Sequence, residues 1–177
     1  MKFEHIEPIS HPIEAVYEAL RDQTPNLGAY LPQVTSIQEL ERTNEEPGIT
    51  RVICRWQAND RSAPSAVRPF LSEKMLSWLD HAQWVDKEHL VHWRLEPATN
   101  ESLFDCGGTN RVEKLDEDSC QFRLQGTLSV HPERVPGIPR FLAKRLRSKI
   151  EQWMINMITP NLAELPKAVQ QFLDEQK

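Results

Sequence analysis

The sequence predicts an α+β fold in which a curved antiparallel β-sheet wraps around a long C-terminal α-helix, with two short helices after the first strand and a helix inserted near 69–79. Three observations predict it. Between residues 34 and 131 apolar side chains recur at every second position in one segment after another, the pattern of strands with one dry and one wet face. From Pro139 the spacing changes to three and four residues, through Leu142, Leu146, Ile150, Trp153 and Met157, which is the period of a helix. The order of these elements is broken by no linker-like, low-complexity or repeated stretch, so the whole chain, 1–177, reads as a single domain.

The elements follow in order. Phe3 to Ile9 is short, extended and partly alternating, and ends at "SHP". Pro12 suits the first turn of a helix, and Ile13, Val16, Tyr17 and Leu20 fall at i, i+3, i+4 and i+7. In "TPNLGAYL" Thr24 is placed to cap a second short helix, Pro25 to occupy its first position and Pro32 to end it. "VTSIQELERT" is the next strand and "EEPG" its turn. In "ITRVICRWQA" the residues Thr50, Val52, Cys54, Trp56 and Ala58 share one face, with Arg51, Ile53, Arg55 and Gln57 on the other.

The stretch "RPFLSEKMLSWLDHAQW" reads as the inserted helix, with Leu71, Met75 and Leu79 on one stripe beside Phe70 and Trp78. "HAQWVDKE" and "HLVHWRLEP" then form a hairpin in which Val91, Trp93 and Leu95 face inward and His92 and Arg94 outward. "SLFDCGGTNRVEKL" is a strand weakened by its glycines and turned by "DED". "SCQFRLQGTLSVH" alternates most clearly, with Cys120, Phe122, Leu124, Gly126, Leu128 and Val130 on the dry face. Pro160 is expected to kink or restart the final helix after Thr159.

Composition narrows the function. The chain has 177 residues, of which 39% are hydrophobic and 27% charged, within the range of globular proteins. The 21 basic and 26 acidic residues give a net charge of −5, which argues against a nucleic-acid partner. Cys54, Cys106 and Cys120 are odd in number and form no CxxC pair, so a reduced, cytoplasmic protein is expected, with neither disulfide nor zinc site. "MKFEHIEPISH" has no apolar leader segment, and no stretch approaches the roughly 18 apolar residues of a membrane span, so no integral membrane association is expected.

"ISHPIEAVYEALRD" followed by "LGAYLPQVTSIQELER" resembles the opening of the START-like superfamily, also called the polyketide cyclase/dehydrase and lipid-transport, Bet v 1-like or SRPBCC superfamily. The matching residues are His11 and Pro12, Val16 and Tyr17, Leu20, Pro32, Val34 and Ile37, and "FLAKRLRSKIEQWMINMITPNLAEL" resembles the superfamily's last helix. The resemblance implies a helix-grip fold with a cavity between sheet and helix. It implies no catalytic set, because the superfamily's carriers, receptors and cyclases share none.

A curved sheet closed by one helix also suggests a cavity on physical grounds. Its expected strand lining is Val52, Cys54, Trp56, Trp93, Leu95 and Phe104, together with Cys106, Phe122, Leu124 and Leu128. The last helix would add Leu142, Leu146, Trp153 and Met157, and the inserted helix would lay Leu71, Met75 and Trp78 over the opening as a lid. Singly, each is an ordinary core residue; the expectation concerns the set. Among polar groups, His5, Glu7 and Asn110 are candidates to face a cavity and Asp80, His81 and Asp86 to lie near its mouth, but the preferred reading of all six is that they make turns, caps and surface hydrogen bonds.

His89 and His92, three apart in a strand, point to opposite faces, so with His81 they read as solvent-facing, and no metal is expected. Cys106 before Gly107 and Gly108 reads as a small buried residue. The basic cluster of Arg140, Lys144, Arg145, Arg147 and Lys149 reads as a solvated helix face in preference to an anionic-lipid contact. GxSxG, GxxxxGK[ST], GxGxxG and HExxH are absent. The leading expectation is therefore binding or transport of a small hydrophobic molecule (a lipid, isoprenoid, polyketide or aromatic compound) without a cofactor. A cyclase/dehydrase- or hydrolase-like enzyme using the same cavity is the alternative, and a homodimeric interaction module the third.

Overall fold

In a computed structural model of the chain, β1 (Lys2–Ile9) leads into α1 (Ile13–Asp22), the short α2 (Thr24–Leu27) and a 3-10 turn at Gly28–Tyr30. Then come β2 (Val34–Glu46), β3 (Ile49–Ala58), a 3-10 turn at Glu73–Leu76, β4 (Ser77–Val85) and β5 (Leu90–Pro97). β6 (Phe104–Lys114) and β7 (Cys120–Val130) complete the sheet, and α3 (Arg140–Asp174) closes the chain. The structure describes residues 1–59, 61, 65, 68, 73–98, 104–134 and 140–176, without the side chains at 75, 132, 140, 143, 146, 147, 150, 151 and 153–162.

The seven strands pair antiparallel in the order β1-β7-β6-β5-β4-β3-β2. The first strand reaches the far edge because it pairs with the last, Ile9 opposite Cys120 and Phe3 opposite Gly126. Register shifts at three places along β2 and β3 add residues on one side, which bends and twists that edge. At the centre of the opposite half Gly108 faces Gly126. A methyl group at Gly108 would collide with the backbone of Gln125, and one at Gly126 would lie 2.5 Å from the Phe3 ring. The missing side chains let the sheet coil tightly and let Phe3 lie beside Trp93, ring centres 6.4 Å apart.

The concave face is dry because the strands alternate in phase: Val52, Cys54 and Trp56, then Trp93 and Leu95, then Phe122, Leu124 and Leu128, are all at most 6% exposed. Against it pack the buried Val16, Tyr17 and Leu20 of α1, Leu27 of α2, and Leu165, Ala168 and Val169 of α3. The end of α3 is tied to the β1–α1 junction. His11 Nε2 and Asp174 Oδ1 are 2.8 Å apart, and the Ser10 amide donates to Gln170 Oε1 at 2.7 Å. No helix among the described residues is long and apolar enough to cross a membrane.

Three local expectations need correction. The helix expected near 69–79 is a 3-10 turn over Glu73–Leu76, and β4 has already begun at Ser77; residues 69–72 lie outside the described set. The strand wins because Trp78, Asp80, Ala82 and Trp84 keep a period of two, whereas the helical stripe mixed residues from both faces of that strand. α3 does not restart after Thr159 but runs on through Pro160 as one helix. Thr24 is the first residue of α2, and its hydroxyl turns back to the Leu20 carbonyl, so it is not the cap.

Candidate ligand cavity

The register builds the site. Across the inner face Cys54 of β3 pairs with Asp80 of β4, Asp80 with Leu95 of β5, and Leu95 with Cys106 of β6. One row away Val52, Ala82, Trp93 and Gly108 are aligned, and on the other side Trp56 faces Trp78. The Trp56 and Trp78 rings stack, 6.0 Å between centres and 18° between planes. Asp80 is thus set in a wall of aliphatic, aromatic and thiol side chains.

A space of about 40 Å3 adjoins this wall, bounded by Trp56, Asp80, Trp84, Trp93, Leu95 and Asn110 from the sheet, with Ala82 and Val91 at its floor. Leu20 and Thr24 close it from α1 and α2, and Leu165 from α3. Asn110 is held by Trp93, whose indole N–H donates to Asn110 Oδ1 at 2.8 Å. Two polar atoms of this lining, Asp80 Oδ1 and Trp56 Nε1, are shielded and have no hydrogen-bond partner among the described residues. Asp80 as a residue is only partly covered, yet burial around its carboxyl pushes its pKa up to about 7. Burial first, and then the Asp80 carboxylate, push the Cys54 and Cys106 thiols up to about 12, so neither is an activated nucleophile.

Of the residues expected to line a cavity from the strands, Val52, Cys54, Trp56, Trp93, Leu95, Phe104, Cys106, Phe122, Leu124 and Leu128 are all buried, and the strand register puts them on one face of the sheet. Trp56, Trp93 and Leu95 border the space itself. Trp78 belongs to the sheet wall and not to a covering helix. Leu142 packs on the core at the start of α3. Leu146, Trp153 and Met157 lie on α3 and Met75 in the Glu73–Leu76 turn, their side chains outside the described set; Leu71 lies outside the described residues.

Polar candidates separate. His5 and Glu7 share the inner side of β1, His5 Nε2 lying 3.3 Å from Glu7 Oε2. His81 points outward, 3.1 Å from Glu96. Asp86 accepts from Tyr17 Oη at 3.1 Å and Arg21 Nη1 at 2.8 Å. His89 is in a turn with φ 46°, its Nε2 3.0 Å from Glu14 Oε1, while His92 is exposed on β5. Lys144, Arg145 and Lys149 are exposed on α3. The group misplaced by the sequence reading is Asp80, which lies inside the wall and not at a turn near the mouth. Its signal was the phase it shares with Trp78 and Trp84, hidden by reading that stretch as a helix.

No family model and no curated protein matches the chain. Solved structures do. A protein of Thermus thermophilus is 22% identical, with 96% of this chain and 97% of that one covered and a TM-score of 0.64. The Zhui aromatase/cyclase from a Streptomyces species is 15% identical, with coverage of 96% and 95% and a TM-score of 0.60. Norcoclaurine synthase from Thalictrum flavum, in complex with dopamine and hydroxybenzaldehyde, is 17% identical, with coverage of 100% and 88% and a TM-score of 0.61. A START superfamily protein from Mycobacterium smegmatis is 12% identical over 99% of both chains, at a TM-score of 0.52. Over most of both chains the likeness to these structures is one of fold: the chain has the same helix-grip α+β fold, a curved antiparallel sheet closed by a long C-terminal helix.

Proposed function

We propose that the chain binds a small hydrophobic molecule carrying one polar group, held between the concave face of the sheet and α3, with Asp80 at the polar end. The observation that carries this reading is the shielded Asp80 Oδ1, without a hydrogen-bond partner among the described residues, in a wall of tryptophan, leucine and cysteine. An unsatisfied buried polar group costs about 1–3 kcal/mol, so a ligand that satisfies it recovers that energy in addition to apolar burial. The similar structures support the general class, since one is an aromatase/cyclase and another holds two small aromatic molecules. A space of about 40 Å3 admits the polar group alone, whereas whole ligands occupy roughly 300–1,000 Å3. Binding therefore includes a widening between sheet and α3.

Gentle purification, organic extraction and mass spectrometry test the reading, with recovery of a hydrophobic small molecule from the wild-type chain as the expected result. If nothing is recovered, and no compound in a panel of hydrophobic molecules raises the melting temperature, the reading fails.

A second reading rests on the pKa of Asp80. A carboxyl poised at about 7 is suited to transfer protons at neutral pH, which favours a cyclase- or dehydrase-like reaction on the same ligand. A bell-shaped or sigmoidal rate profile centred near that pH, abolished in Asp80→Asn, is its signature. On either reading residues 1–177 act as one domain in the cytoplasm without a cofactor.

A further inference from the structure

The second unpartnered atom sharpens the ligand class. Trp56 and Asp80 lie on adjacent strands of one face, Trp56 opposite Trp78 and Asp80 opposite Cys54, so they are diagonal neighbours. Diagonal positions stand roughly 7–8 Å apart at the backbone, within reach of an aromatic ring and a carboxyl. Both border the same space, and Trp56 is only 6% exposed, with its indole N–H shielded and unused among the described residues. We propose that Trp56 Nε1 and the Asp80 carboxyl grip one acceptor oxygen of the ligand, which makes the ligand a hydrophobic carbonyl compound and not an amine or a hydrocarbon. The proposal rests on the reading of this space as a ligand site.

The chemistry follows from what each group can offer. An indole N–H only donates, so whatever satisfies Trp56 must accept; a protonated amine has no lone pair for it, and a hydrocarbon has none at all. Burial raises the pKa of Asp80 to about 7, so below that pH it carries a proton and donates as well. Two donors from neighbouring strands match the two lone pairs of a carbonyl oxygen. An alcohol would satisfy the pair differently, accepting from Trp56 and donating to an ionised Asp80. The two ligand types therefore predict opposite pH dependence.

Four probes of similar shape separate these cases by calorimetry: acetophenone, α-methylstyrene, 1-phenylethanol and 1-phenylethylamine. The expected result is that acetophenone binds about tenfold more tightly than α-methylstyrene, the worth of hydrogen bonds to otherwise unsatisfied buried groups. Acetophenone does not titrate, so its weakening by about tenfold between pH 6 and pH 8.5 would report deprotonation of Asp80. In Asp80→Asn, whose amide still donates, that pH dependence should vanish while binding persists. In Trp56→Phe the preference for acetophenone over α-methylstyrene should shrink.

Infrared spectra of carbonyl-labelled acetophenone give a readout that packing alone would not move: a stretch shifted to lower frequency in the wild type, and shifted less in Trp56→Phe. If all four probes bind equally, or if 1-phenylethylamine or 1-phenylethanol binds best, the grip is wrong while the cavity stands. If none binds, both the grip and the cavity reading fall.

Discussion

Cys54 and Asp80 face each other directly across β3 and β4, a thiol and a carboxyl in one apolar wall. Burial alone displaces Asp80, and its charge in turn adds to the burial that displaces Cys54.

The first consequence is a pH-dependent stability. The carboxyl has a raised pKa, about 7 when folded against an ordinary 3.8, so between these values the folded state holds a proton that the unfolded state has lost. Its contribution is fully favourable below about pH 4 and is lost as pH rises through about 7. Asp80→Asn removes the titration. Relative to wild type the variant should gain a few kcal/mol at pH 8, about 4 at most, and almost nothing at pH 4. Urea unfolding of both proteins at pH 4, 6 and 8 measures the difference, and a gap that does not widen with pH would refute the assignment.

The second concerns thiol chemistry. Cys54 and Cys106 are pushed up to about 12 and Cys120 to about 11, and all three are buried. At pH 8 the folded protein should react with an aromatic disulfide reagent at none of its three cysteines, and after unfolding at all of them. Fast reaction of a single thiol in the folded state would mean that one of them is neither shielded nor neutral.

Most of the sheet was legible because its strands obey one rule: in β3, β5 and β7 the dry residues alternate with the wet ones, and the register follows from that. β4 was legible only from His81 onward. Leu76, Trp78 and Leu79 sit at spacings that serve a helix as well as a strand, and the inward carboxyl of Asp80 broke the apolar sequence that would have settled it. That the N–H of Trp56 has no partner among the described residues could not be read at all, since whether an indole finds a partner depends on neighbours brought together only by folding. The tie between His11 and Asp174, 163 residues apart, is invisible for the same reason.

The glycine pair offers a third test. At Gly108 an added methyl meets the Gln125 and Gly126 backbone, which cannot move without breaking the β6–β7 ladder, whereas at Gly126 it meets the ring of Phe3. Gly108→Ala should therefore cost more than the roughly 1–3 kcal/mol of ordinary overpacking, and Gly126→Ala about that range. Adding Phe3→Leu should rescue Gly126→Ala in part and leave Gly108→Ala unchanged. Equal costs, or rescue of both, would show that the strain is not where these contacts put it.

The last prediction concerns how α3 is held. Val169 and Ala168 are buried against the core, and His11, 5% exposed, contacts Asp174 in the final turn of α3. Tyr30 Oη also donates to Glu175 Oε2 at 2.6 Å, but that pair is open to solvent. The buried end of the His11 contact makes it the stronger tie, because a polar atom left unpaired inside costs more than one that water can satisfy. His11→Ala should lower stability by about 1–2 kcal/mol and raise hydrogen exchange in the last turns of α3, residues 168–174, more than in the sheet. Tyr30→Phe should leave the exchange pattern close to wild type. If His11→Ala instead accelerates exchange uniformly across β1, β7 and α3, the helix end does not open separately from the sheet.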